Sequence, residues 1–408
     1  MDFKIVGLPY EIDYDNNYLA AFSLCLDRYK KWCGLFLNQN EGYTKYLSGE
    51  EKDSLVKAIS TDGGIIKKCV NLYYTGDIVA ASKRMKGLLE RIVNGDTTGF
   101  IKSELDKNYC CRLAANYPFL NNDLDRKHVD SLLEHDITLY RARKEYFNDY
   151  KEMYHIPLNK RDLVGTERFS IPGIPCLYLG SSVYDVWLEM GRPAYSDFNV
   201  SAIKLTRTGK KLQILNLTAT PYLLLGINTI QFDNVDKESN LSLIRSLLRI
   251  YPLVIATSIR NKSPRGIFRS DYIISHLIMM NIKSIGIDGV AYISKRIEDY
   301  DEDFAMPQLV NIALPAFEES HADKKYGAIC EKIDITRAAN YEEFLNLELG
   351  VRGKDEKNSF FAKTFLELGE NNINNALRVS GRKVDYHNTG FYRFENHLCA
   401  MKFNSFNS

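Results

Sequence analysis

The spacing of apolar residues changes character near Asp136, and before that point the period is helical. From Asp77 to Val93 the residues Ile78, Ala81, Met85, Leu88 and Ile92 recur at steps of three and four, which gives one buried face. Tyr18 to Leu37 is rich in Leu, Ala and aromatic residues without strand-like alternation. Ser48-x-x-Glu51 predicts a capping box that opens a short helix ending at Ile59. Gly63-Gly64, Gly76, Gly95 and Gly99 read as punctuation between helices.

After Asp136 short apolar runs alternate with helical stretches. Strands are expected at Thr138–Ala142, Cys176–Leu179, Val200–Leu205, Leu212–Leu217, Gly289–Ile293, Leu309–Leu314 and Gly327–Ile333. Helices are expected at Val183–Met190, Leu241–Ile250 and Tyr272–Ile282. The pattern predicts an α+β protein in which a helical N-terminal domain (1–135) precedes a mixed α/β domain (136–337). Their boundary is expected between Asn122 and Asp136. The remainder, 338–408, turns polar and Asn-rich at Asn371–Asn375 and reads as a small helical extension. A chain of 408 residues suits more than one domain.

Charge and cysteine usage narrow the partners. Fifty-three basic against 52 acidic side chains leave a net charge of +1, whereas a dedicated nucleic-acid binder shows a basic excess. No nucleic-acid partner is expected. The eight cysteines are scattered and form no CxxC, which gives neither a metal site nor a disulfide framework. The opening MDFKIVGLPYEID has no basic n-region or long apolar core, and no run approaches 18 apolar residues. The expectation is a cytoplasmic protein with no membrane partner.

Three separated segments carry the chemistry: ITLYRAR (Ile137–Arg143), RFSIPGIPCLYLGSSVYDVWLE (Arg168–Glu189) and DYIISHLIMMNIKSIGIDGVAYIS (Asp271–Ser294). By pattern alone they are unremarkable. Arg141 and Arg143 share one face of a short strand and would be solvated there. Asp185 and Glu189 lie on the helix flank away from the Val183–Val186–Trp187–Met190 stripe and read as a solvent-facing acidic pair. Ser294 would cap a buried strand, and Tyr178 would pack a core.

Taken together and in order, the three segments resemble the RES family, over roughly Ile137 to Arg337. That resemblance implies a compact fold related to ADP-ribosylating toxins and an enzyme that consumes NAD as substrate, with no bound cofactor. It marks Arg141, Glu189 and Ser294 as the family arginine, glutamate and serine, and Tyr178 as the tyrosine of the family's LY pair. Arg168-Phe169-Ser170 is similar to the family's Gly-Arg-aromatic-polar step, with Glu167 in place of the glycine. Arg143 has no such counterpart and is expected to be structural.

The residue types suit NAD cleavage. The bond to nicotinamide joins a cationic ring nitrogen to the ribose, so the leaving group departs neutral and needs no general acid. Positive charge develops on the ribose, as in glycoside cleavage. Glu189 would face that charge, Arg141 and Arg168 would hold the pyrophosphate through planar guanidinium forks, Tyr178 would stack the nicotinamide, and Ser294 would position substrate by hydrogen bonding. The acceptor would be water or inorganic phosphate, or a protein or nucleotide if the enzyme is an ADP-ribosyltransferase. An NAD-consuming enzyme of this kind resembles bacterial toxin–antitoxin and anti-phage systems, so restraint by an antitoxin or by self-association is expected.

A rival reading is a non-catalytic or RNA-directed module. The helical N-terminal part is similar to the HEPN-like domains that accompany some RES proteins, whose catalytic members carry R-x4-H as a ribonuclease motif. Neither His128 nor His135 has an arginine at that spacing, and Arg382-x4-His387 in the polar tail reads as a chance match. GxGxxG after a strand, GxxxxGK[ST], HExxH and GxSxG are all absent.

Overall fold

The computed structural model describes residues 8–14, 17–39, 41–107, 136–219, 237–263, 268–296, 309–348, 376–379 and 382–407. In chain order the helices are α1 (Tyr18–Asn38), α2 (Gly49–Tyr74), α3 (Ile78–Asn94), α4 (Val183–Glu189), α5 (Lys237–Thr257), α6 (Ile273–Ile282), α7 (Tyr341–Glu348) and α8 (Gly390–Ala400). The strands are β1 (Tyr10–Ile12), β2 (Lys102–Glu104), β3 (Thr138–Arg143), β4 (Cys176–Gly180), β5 (Asn199–Leu205), β6 (Gln213–Leu217) and β7 (Ile259–Asn261). They continue as β8 (Gly289–Ile293), β9 (Val310–Pro315), β10 (Ile333–Thr336), β11 (Ala339–Asn340), β12 (Ala376–Val379), β13 (Arg382–Asp385) and β14 (Phe403–Ser405). The fold is α+β.

Two compact units form. One gathers residues 1–103, 166–171 and 213–290, the other 104–165, 172–212 and 291–408. These units are drawn along different lines from the sequence segments 1–135, 136–337 and 338–408. Residues 213–290 gather with the N-terminal helices, and the boundary expected between Asn122 and Asp136 lies outside the described residues.

The first unit is built on α1, α2, α3, α5 and α6. Ser48 and Glu51 form the expected capping box. The helix nevertheless runs on to Tyr74 instead of stopping near Ile59, with Gly63 and Gly64 inside it. Packing explains Gly63: a Cβ there would stand 2.2 Å from Leu26 Cδ2 of α1. The glycine serves close helix approach, not a turn. Buried Asp62 is held by Arg91 and by Arg249 Nε at 2.8 Å, which supplies the partner charge a buried carboxylate requires. Tyr18 Oη donates to Ala256 O (2.7 Å) and Tyr29 Oη to Leu248 O (3.0 Å), tying α1 to α5.

The second unit is built on a sheet ordered β14–β10–β5–β3–β4–β9–β8, with β11 also pairing β5. Neighbours from β14 to β9 run antiparallel. Its core joins Tyr140, Val183, Val186, Phe198, Val200, Phe394 and Leu398. Two expectations change here. Gly327–Ile333 is not one strand: Ala328–Lys332 forms a 3-10 turn before β10 begins. The turn closes because Cys330 N–H donates to Gly327 O (3.0 Å), while Gly327 N–H is taken by His155 Nε2 (2.8 Å).

Nor is the described end of the tail an appendage. Strand β14 pairs with β10, and α8 buries Phe394 and Leu398 completely, each contributing roughly 1.5–3 kcal/mol. An i, i+4 pair in one short helix is too brief a period to stand out in a polar tail.

Among the described residues no helix is long and apolar enough to cross a membrane, and no cluster of His, Cys, Asp or Glu could hold a metal. Cys25, Cys33, Cys69, Cys176, Cys330 and Cys399 are free and buried.

Candidate active site

Helix α4 carries Glu189, and three local features fix it. Ser182 caps it, its side chain accepting from Asp185 N–H at 3.0 Å. Glu395 of α8 takes the next free donor, Val183 N–H, at 2.8 Å. Gly180 at the end of β4 lets the helix lie against the strand: a Cβ there would stand 2.7 Å from Val186 Cγ1 and 2.9 Å from Asp185 Oδ2. The apolar stripe of Val183, Val186, Trp187 and Met190 then faces the core as its spacing predicts.

Glu189 closes the helix, where the macrodipole disfavours a carboxylate. Its neighbours offset this. Ser294 Oγ donates to Glu189 Oε1 at 2.5 Å, and Asn311 Nδ2 reaches the same oxygen at 3.4 Å. Arg296 Nε lies 3.6 Å from Oε2, and Arg296 N–H donates to Ser294 Oγ at 3.2 Å. The side chain keeps 30% of its exposure, so the carboxylate is oriented yet open on one side. The Arg296 pair is largely solvated and is worth little in stability.

Asp185, one turn earlier, departs from its expected place. It is fully buried and does not face solvent. Asn311 Nδ2 donates to its Oδ1 at 3.1 Å, whereas Oδ2 is buried with no hydrogen-bond partner. Burial first, and then the Glu189 carboxylate, push its pKa well above the usual range, with the Asn311 contact opposing. The neutral acid is thereby favoured. The flank facing Gly180 has room for Asp185 because that glycine has no side chain.

Strand register places Tyr178 and Arg141. Tyr140 opposes Gly180, Gly180 opposes Asn311, and Tyr178 opposes Ala313. Directly opposed residues share a face, so Tyr178 and Asn311 are on the α4 side of the sheet. Arg141 alternates to the other side. Strands β3 and β4 pair only at Tyr140 and Gly180, and beyond that point the Arg141 guanidinium takes the place of a main-chain partner. Its Nη1 donates to Tyr178 O (3.1 Å), Nε to Met153 O (2.6 Å) and Nη2 to Tyr154 O (3.3 Å). Burial, then the neighbouring Arg143, lower its pKa to about 9, so it remains a cation at neutral pH.

The structure therefore brings Glu189 and Ser294 into direct contact and puts Tyr178 on the same face. Arg141 holds the Tyr178 carbonyl and makes no hydrogen bond or ion pair to Glu189 or Ser294. Arg168 belongs to the first unit, buried, with its guanidinium 5.0 Å from the Phe169 ring centre. There Ser170 Oγ bonds both Glu167 N–H (3.1 Å) and Glu167 O (2.9 Å), closing the Glu167–Ser170 turn.

One comparison with known proteins bears on this arrangement. A Bacillus subtilis (strain 168) protein described as "Putative toxin YopC" is 28% identical over 261 residues, covering 62% of this chain and 53% of that protein. The chain is similar to a protein named as a toxin. It spans about half of that relative's length. No family model matches the chain, and no solved structure matches it significantly.

Two members of the cluster escaped the sequence reading. Asn311 sits in the apolar run VNIALP, where a lone amide reads as a strand residue, although an amide inside such a run itself asks for a buried partner. Arg296 falls just past the third motif and carries no pattern of its own.

Proposed function

We propose that the chain is a toxin-type enzyme that cleaves NAD at the nicotinamide–ribose bond. The observation that carries this reading is the 2.5 Å contact between Ser294 Oγ and Glu189 Oε1, two residues that the RES resemblance selects from separate motifs. The similarity to a toxin-named protein supports the toxin part only.

The chemistry follows from the carboxylate. As the carbon–nitrogen bond breaks, its electron pair leaves with nicotinamide and the ribose carbon becomes cationic. Glu189, oriented by Ser294 and Asn311 and open on one side, faces that cation. Preorganised charge of this kind is worth ~3–4 kcal/mol of barrier, or roughly a hundred- to thousandfold in rate. Water attacking the ribose carbon loses a proton to solvent and yields ADP-ribose. Inorganic phosphate attacking instead yields the ADP-ribose phosphate ester. Uncontrolled NAD loss would harm the producing cell, so an antitoxin or self-association restrains the enzyme.

The test is incubation of the full chain with NAD, with and without phosphate, and identification of products by mass spectrometry. Free nicotinamide is expected, with ADP-ribose or its phosphate ester. ADP-ribose attached to a protein or nucleotide would make the enzyme a transferase. Unchanged NAD under all conditions, with cell extract included, overturns the reading.

A further inference from the structure

Two arginines end strand β3, and only one has a counterpart in the family motif. Arg141 and Arg143 lie on the same face and share one acceptor: Nη2 of each donates to Tyr154 O, at 3.3 and 2.7 Å. Both are partly buried. Among the described residues neither has a carboxylate at ion-pair distance, and their only hydrogen-bond partners are main-chain carbonyls. Glu145 and Glu152 act on Arg143 only through longer-range electrostatics. Arg143 Nε is buried with no hydrogen-bond partner, and the guanidinium carbon stands 5.6 Å from the Phe147 ring centre.

This arrangement is electrostatically incomplete. Buried cations are normally paired, and two of them sharing a neutral carbonyl repel each other. Burial depresses the pKa of both, and for Arg141 the second guanidinium adds to the effect. Each guanidinium has five N–H donors; of those on Arg143, one meets Tyr154 O and the buried Nε–H meets no acceptor. A multiply charged anion with several acceptor oxygens would complete the arrangement. Planar guanidinium forks match phosphoryl oxygens in pairs, which a single carboxylate could not offer to both arginines.

We propose that Arg141 and Arg143 together form a phosphoryl-binding subsite in which Arg143 is a direct ligand-binding residue. The subsite takes either a diphosphate group or free phosphate. That its natural occupant is the NAD diphosphate, or the phosphate acceptor, rests on the function proposed above. The existence of the subsite does not.

Calorimetric titration of the full chain with ADP-ribose, and separately with inorganic phosphate, tests the assignment in wild type, Arg143→Gln and Arg143→Lys. Loss of the charge-assisted bonds in Arg143→Gln is expected to weaken binding roughly ten- to a hundredfold. Arg143→Lys keeps the charge, guards against misfolding and is expected to recover part of the affinity. If only ADP-ribose depends on Arg143, the occupant is the diphosphate; if only phosphate does, it is the free ion. Either outcome supports the subsite. Equal affinity of wild type and both variants for both probes, or no binding of either probe by wild type, overturns it. Arg143-dependent binding by a protein that releases no nicotinamide would sustain the subsite while the proposed reaction failed.

Discussion

Ser294 Oγ donates a 2.5 Å hydrogen bond to Glu189 Oε1 across 105 positions of sequence. The serine closes strand β8 and the glutamate closes α4, so each element ends where the other delivers a side chain. The bond fixes the orientation of a carboxylate that is partly open to solvent.

Glu189→Ala is expected to reduce nicotinamide release from NAD by roughly a hundred- to thousandfold. The melting temperature should move little, since the side chain is partly exposed and its ion pair with Arg296 is solvated. Ser294→Ala removes the orienting bond and the acceptor of Arg296 N–H, and should cost on the order of tenfold in kcat. Steady-state kinetics in which Ser294→Ala is the more damaging of the two would show that Glu189 is not the decisive group.

Arg141→Lys is expected to destabilise the protein by about 2–4 kcal/mol, because three main-chain carbonyls lose a fixed donor and a lysine cannot span them. Denaturant melts check this. A variant with wild-type stability would mean that Arg141 does not tie β3 to Met153, Tyr154 and Tyr178.

A fragment ending at Arg337 is expected to be insoluble or molten. It lacks α8, with Phe394 and Leu398, worth together about 3–6 kcal/mol, and it leaves β10 without β14. It also removes Glu395, the partner of Val183 N–H at the start of α4. Circular dichroism and a cooperative melt distinguish the outcomes: a well-folded fragment would show that the tail is dispensable.

Stability should fall as pH rises from 6.5 to 8. Burial pushes Glu395 up to about 8 from its usual 4.5, against hydrogen bonds from Tyr386 and Val183. The folded state keeps a proton that the unfolded chain releases, so the contribution is complete below 4.5 and is lost as pH rises towards 8. Buried His155, lowered to about 4 from 6.5, acts in the opposite sense and only below 6.5. Above 6.5 the Glu395 slope stands clear, at most about 1.4 kcal/mol per pH unit. Glu395→Gln should flatten the dependence; urea titrations at the two ends of the window that give parallel lines for both proteins would refute it.

Much of the local structure was legible in the sequence because it depends on neighbours. Ser48 and Glu51 close their box within four residues, Ser182 caps α4, and the Val183–Met190 stripe reports a buried helix face directly. Strands β3, β4, β5, β6, β8 and β9 stand where apolar runs predict them. Where a glycine pair seemed to break a helix, the reason for the error is tertiary: Gly63 is small for the sake of Leu26, a contact no local pattern encodes.

In the sequence, the resemblance of three segments to the RES family is what singles out Arg141, Tyr178, Glu189 and Ser294. Only the tertiary structure pairs Glu189 with Ser294, adds Asn311 between Glu189 and Asp185, and buries an acid that by pattern faces water. It likewise turns Arg141 onto three carbonyls and leaves Arg143 beside it with an unmet donor. Hydrophobic periodicity reports which side of an element is apolar. Which polar group meets which depends on strand order and on where a glycine lets a helix descend, and those are properties of the assembled sheet.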